Sequence, residues 1–69
     1  MEWLKDARTA KGLTGEVVGA QAGITQQHYN FIENGKRRPS VEVAKRIAAV
    51  LGFPWTRFFE DTEEPGESA

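Results

Sequence analysis

The sequence predicts an all-α fold, a compact bundle of five short helices around one core. Residues 14–39, TGEVVGAQAGITQQHYNFIENGKRRP, read as two short helices joined by a tight turn and followed by a basic loop. Downstream, Val41, Ala44, Ile47, Ala48 and Leu51 recur at i, i+3, i+6, i+7 and i+10, a helical stripe that predicts core. A length of 69 residues supports one domain, near the lower limit for a self-supporting core.

The elements follow in order. A first helix is expected over about Glu2 to Lys11, with Leu4, Ala7 and Lys11 on one face and Trp3 flanking it. Gly12 stops it and Leu13 turns into the core. Thr14 is a natural N-cap for a second helix, Gly15 to Ala22, which carries Val17, Val18 and Ala22. Its two glycines, Gly15 and Gly19, each cost about 0.5–1 kcal/mol against alanine, so close packing is the expected reason for Gly19. Gly23 then supplies a left-handed turn, Ile24 plugs the core, and Thr25 caps a third helix running to about Glu33. Asn34-Gly35 ends that helix. Ser40 caps a fourth helix after Pro39, Glu42 complements its dipole, and Gly52 ends it. Pro54 suits the first position of a fifth helix, Pro54 to about Glu60. The segment FPWTRFFE holds four of the seven aromatics, more than so short a helix easily buries. Trp55, Phe58 and Phe59 are therefore candidates for a dimer interface, with simple core packing as the alternative.

Composition narrows the function. Cysteine is absent and His28 is the sole histidine, which excludes disulfides, thiolate metal sites and histidine clusters. No apolar run approaches the roughly 18 residues that span a bilayer, and MEWLKDA has no secretory character, so a cytoplasmic location is expected. Net charge is −1, but unevenly placed. Residues 1–59 carry all nine cations against five acids, and the last ten residues carry five acids and no cation. The expected division is a mildly basic domain over residues 1–60 and an acidic, disordered tail over 61–69. The tail is read as a solubilising end, or as a competitor with phosphate for the basic loop.

The third helix carries the chemistry. Gln26, Gln27 and Asn30 fall in its first turn and a half. A carboxamide donates and accepts at once, so it can pair bidentately with the N6/N7 edge of adenine. Ile24, Tyr29 and Ile32 are expected inward, which turns the three amides outward together. Alone, such amides would suit any solvated helix. With the Gly23 turn before them and Lys36-Arg37-Arg38 just beyond, they suit a DNA-reading helix with phosphate contacts at its end.

The segment LKDARTAKGLTGEVVGAQAGITQQHYNFIENGKRRPSVEVAKRIAAVLG resembles the Cro/C1-type helix-turn-helix family, also called the Xre family, over roughly residues 3 to 59. GITQQ and IENGK are similar to the recognition segment of lambdoid phage repressors. The resemblance implies a lambda-repressor-like fold and a bacterial or phage transcription regulator, a repressor, bound to double-stranded DNA as a homodimer. It implies that Gln26 and Gln27 read bases in the major groove, and Thr25 and Asn30, beside them on the third helix, are expected to read bases with them. It implies phosphate contacts from Asn34, Lys36, Arg37 and Arg38. It also implies that Arg8 pairs with Glu33 and locks the third helix to the first. Three positions depart from the family. Gly15 stands where a phosphate-touching glutamine is usual, and Gly19 where alanine is usual. Phe31 replaces a polar residue, and either touches a thymine methyl or packs beside Trp3 or Tyr29.

Other functions fit less well. An enzyme is not expected: GEVVGA is no dinucleotide loop, because no strand precedes it. No cofactor, small-molecule ligand or membrane partner is indicated. The rival is a protein-binding helix-turn-helix module such as an antitoxin-like partner. It would account for the aromatic fifth helix and leave the amides and the KRR run unexplained.

Overall fold

The computed structural model describes residues 1–60; the expected acidic tail, 61–69, lies outside the described residues. Five helices and no strand occur among the described residues: α1 Glu2–Ala10, α2 Gly15–Gln21, α3 Gln26–Glu33, α4 Val41–Leu51 and α5 Arg57–Glu60. Three of them start on a hydroxyl cap. The side-chain oxygens of Thr14, Thr25 and Ser40 accept from the backbone N–H of Val17, His28 and Val43 at 3.2, 3.0 and 3.2 Å. Each satisfies an amide that the helix itself leaves unpaired.

The turn between α2 and α3 is set by Gly23 at φ 77°. Its N–H reaches Ala20 O and the N–H of Ile24 reaches Gly19 O, so the last carbonyls of α2 are satisfied as the chain reverses. Close approach at Gly19 tightens the same corner. A Cβ there would lie 3.1 Å from Thr25 O and 3.3 Å from Ile24 O. Gly19 is thus explained by close packing, as expected.

The core is Leu4, Val18, Ala22, Tyr29, Ile32, Ala44, Ile47, Leu51 and Phe58, with Leu13 and Ile24 packed against it. α2 packs on α3 and α4, and α1 on α3. Of the α4 stripe, Ala44, Ile47, Ala48 and Leu51 are buried, but Val41 is 48 % exposed. It sits in the first turn, beside the loop rather than under the bundle.

The fifth helix is shorter than expected. It begins at Arg57, not Pro54, because the intervening residues make i→i+3 turns: Arg57 N–H to Pro54 O, Phe58 to Trp55 and Phe59 to Thr56, at 3.0, 3.2 and 2.9 Å. The aromatics around it form a cluster with Trp3. Trp3 meets Phe53 and Phe58 edge-on, with ring centroids 5.2 and 5.3 Å apart, and Arg57 lies over the Trp3 ring at 4.6 Å. Phe58 is wholly buried, so it closes the core of this chain; Trp55 and Phe59 are half-buried.

Candidate nucleic-acid interface

The helix-turn-helix places α3 with one face on the core and the other in solvent. Tyr29 and Ile32 have no exposed surface, whereas Gln26, Gln27 and Asn30 are exposed. Positions 26, 30 and 34 are four apart, so Gln26, Asn30 and Asn34 run along one side of the helix, with Gln27 beside the first of them. The Thr25 hydroxyl accepts from His28 N–H and keeps its own proton free to donate. Phe31 is 38 % exposed, and no ring contact joins it to Trp3 or Tyr29; Trp3 is instead packed against Phe53 and Phe58.

The basic loop is held directly at the end of this helix. Gly35 adopts φ 77°, and the N–H groups of Lys36 and Arg37 both donate to Phe31 O, at 2.8 and 3.2 Å. The loop backbone is therefore tied to the last turn of α3, and buried Pro39 anchors its far end. Lys36, Arg37 and Arg38 are all exposed. Among the described residues the ion pairs engage other cations, Arg8 with Glu33 and Arg46 with Glu42, while Lys45 and Arg57 lie over tryptophan rings. Among the described residues the KRR run thus presents three charges without an ion pair beside a row of amides, an arrangement suited to an anionic, hydrogen-bonding surface.

Arg8 and Glu33 do meet. The guanidinium grips the carboxylate bidentately, Nε to Oε1 and Nη2 to Oε2, both at 3.0 Å. Its third arm, Nη1, donates to Leu13 O at 3.0 Å. The N-terminal amine of Met1 also donates to Glu33 O. One side chain thereby joins α1, the α1–α2 turn and the end of α3. Burial pushes the Glu33 carboxyl up, but the two hydrogen bonds from Arg8, with the Tyr29 hydroxyl close by, leave it below the ordinary carboxylate range. The hydrogen bond with Glu33 raises the Arg8 pKa against a smaller opposing effect of burial. Burial and the nearby Glu33 carboxylate raise the Tyr29 phenol, whose hydroxyl is buried beside the pair without a hydrogen bond of normal geometry.

The sequence alone left two features unread. The Leu13 carbonyl completes the Arg8 site, a backbone contact that no residue pattern marks. Asn30 lies against the start of α2, where a Cβ on Gly15 would come within 3.0 Å of Asn30 Oδ1 and 3.3 Å of Tyr29 Cδ2. The glycine at position 15 was the signal, but its meaning depends on which side chain of α3 faces it. No helix among the described residues is long and apolar enough to cross a membrane.

Comparison with known proteins agrees with this geometry. The helix-turn-helix family pattern matches residues 4–58. The chain is 53% identical over 60 residues to the HTH-type transcriptional regulator YqaF of Bacillus subtilis, covering 87% of this chain and 79% of that protein. It is 37% identical over 57 residues to the HTH-type transcriptional regulator y4dJ of Sinorhizobium fredii, with 83% and 74% covered. It is also 37% identical over 62 residues to the control protein C.MunI of a Mycoplasma species, with 88% and 84% covered. No solved structure matches significantly. With its two capped helices around the Gly23 turn and this match over nearly the whole described chain, the protein belongs to the Cro/C1-type helix-turn-helix family of DNA-binding transcriptional regulators.

Proposed function

We propose that this protein is a sequence-specific repressor that reads the major groove of double-stranded DNA with α3, as a homodimer in the cytoplasm. The observation that carries the reading is the exposed face of α3. Three carboxamides stand outward over a helix that buries Tyr29 and Ile32 on its other face, and the exposed charges of Lys36, Arg37 and Arg38 follow at once.

The division of labour follows from chemistry. Thr25, Gln26, Gln27 and Asn30 meet base edges, where amides pair with adenine. Phe31, with a ring edge in solvent, meets a thymine methyl. Asn34 and the KRR loop meet phosphates and supply most of the affinity without sequence preference. Arg8 and Glu33 fix the angle of α3 to the bundle and touch no DNA. Trp55 and Phe59 contribute to the dimer contact, and Phe58 supports them from the core. One domain reads only a few base pairs, so two copies give the specificity a regulator needs. Catalysis has no place in this reading, and neither does a cofactor or a small-molecule ligand.

The test is affinity for a random-sequence duplex at several salt concentrations. Binding that weakens linearly in log–log coordinates supports phosphate contact. Binding that ignores salt, together with capture of a protein that survives nuclease treatment, supports the antitoxin-like alternative instead.

A further inference from the structure

We propose that Gly15 is a specificity-determining position, acting through Asn30. This rests on the reading of α3 as the base-reading helix and names a residue outside α3 that sets what it reads. Gly15 is the first residue of α2, and its backbone faces the third helix. The space a Cβ would take there is bounded by Asn30 Oδ1 at 3.0 Å and by Tyr29 Cδ2 and Cε2 at 3.3 and 3.5 Å. Tyr29 is fully buried and cannot swing aside. Asn30 is exposed, and its amide is the movable neighbour.

The missing side chain thus makes a recess in which the Asn30 carboxamide rests. Held there, the amide lies back toward α2 and meets the groove from one direction. A methyl at position 15 narrows the recess to a distance tighter than most carbon–oxygen contacts, and the less constrained partner gives way by a few tenths of an ångström or more. Asn30 then moves away from position 15, and its donor and acceptor move with it. Gly15 itself touches no base: it is a positioning residue for Asn30. Its backbone is in ordinary helical conformation, so alanine is tolerated there on conformational grounds.

The experiment is a double-mutant cycle of Gly15→Ala and Asn30→Ala. Each variant selects from a randomised duplex library, and its affinity is measured on the sequence the wild type prefers. The Asn30 side-chain amide is followed by NMR in the DNA-free protein. The expected result has three parts. Gly15→Ala shifts the Asn30 amide resonances in the free protein. It weakens binding to the preferred site about tenfold, with the altered preference confined to the base pair that Asn30→Ala also relaxes. In the Asn30→Ala background, Gly15→Ala has no further effect on preference. Equal effects of Gly15→Ala with and without Asn30 would overturn the proposal, as would unmoved amide resonances. Should Gly15→Ala fail to fold because Tyr29 holds its place, Asn30→Gln moves the amide while leaving the recess. An unchanged preference in that variant would also overturn it. A wild type that selects no sequence at all would instead overturn the base-reading role of α3, and the proposal with it.

Discussion

Single side chains decide this protein's behaviour in two different ways. Gln27 is exposed in the first turn of α3, where it makes no contact the core needs. Gln27→Ala is therefore expected to cost about 1–3 kcal/mol on the preferred DNA, far less on random DNA, and almost nothing in thermal stability. Paired affinities at one salt concentration and a melting curve check this. Equal losses on both DNAs would show that Gln27 reads no base. Glu33 behaves oppositely. It is largely buried against Arg8, so removing its charge leaves the guanidinium unpaired. Glu33→Ala is expected to cost about 3 kcal/mol, the low end for a buried pair because neither group is wholly enclosed. The pH dependence has a definite sign. Because the folded-state carboxyl titrates below the ordinary value of 4.5, its stabilisation is fully present above that pH. It is lost as pH falls through the lower folded value. Thermal melts should show a steeper acid limb in the wild type than in Glu33→Gln, and parallel limbs would contradict the assignment.

The helices and turns were legible where local chemistry acts alone. Thr14, Thr25 and Ser40 cap as their type and position imply, and Gly23 and Gly35 take the left-handed conformation that a tight reversal demands. Legibility failed where packing or turn geometry competes. Pro54 is well suited to open a helix, yet tight i→i+3 turns hold the chain until Arg57. Val41 keeps the helical period of α4 but lies outside the core, because the period gives a face and not its length. The recess at Gly15 required knowing which α3 side chain opposes it. At this scale the turn is testable. Gly23→Ala forces a side chain into φ 77°, close to Arg46 Nη1, and should destabilise by about 1–2 kcal/mol. The basic loop should act on affinity alone. Replacing Arg37 and Arg38 with alanine is expected to weaken binding to all sequences alike and lower the salt slope by up to about 2, at roughly 0.9 per phosphate. An unchanged slope would remove the loop from the interface.

At the scale of the whole molecule, charge placement matters more than net charge. A chain of net −1 carries all nine cations but only five of its ten acids in residues 1–59, so a basic face coexists with the five acids at 60–69. Removing residues 61–69 should raise DNA affinity slightly at low salt and leave it unchanged at high salt, where the charge is screened. A titration at two ionic strengths checks this, and a loss of affinity at either would contradict it. The two-helix reading unit is small, and pairing of two copies is what would extend it across successive major grooves.

The most direct test of the central claim, that the exposed amides of α3 read bases, is selection of bound duplexes from a random library by wild type and by Gln27→Ala. The account predicts that the wild type enriches a paired site whose halves lie about 10 base pairs apart. It further predicts that Gln27→Ala retains the spacing and loses preference at one position in each half. A wild type that enriches nothing, or a variant that enriches the same sequence as the wild type, would contradict it.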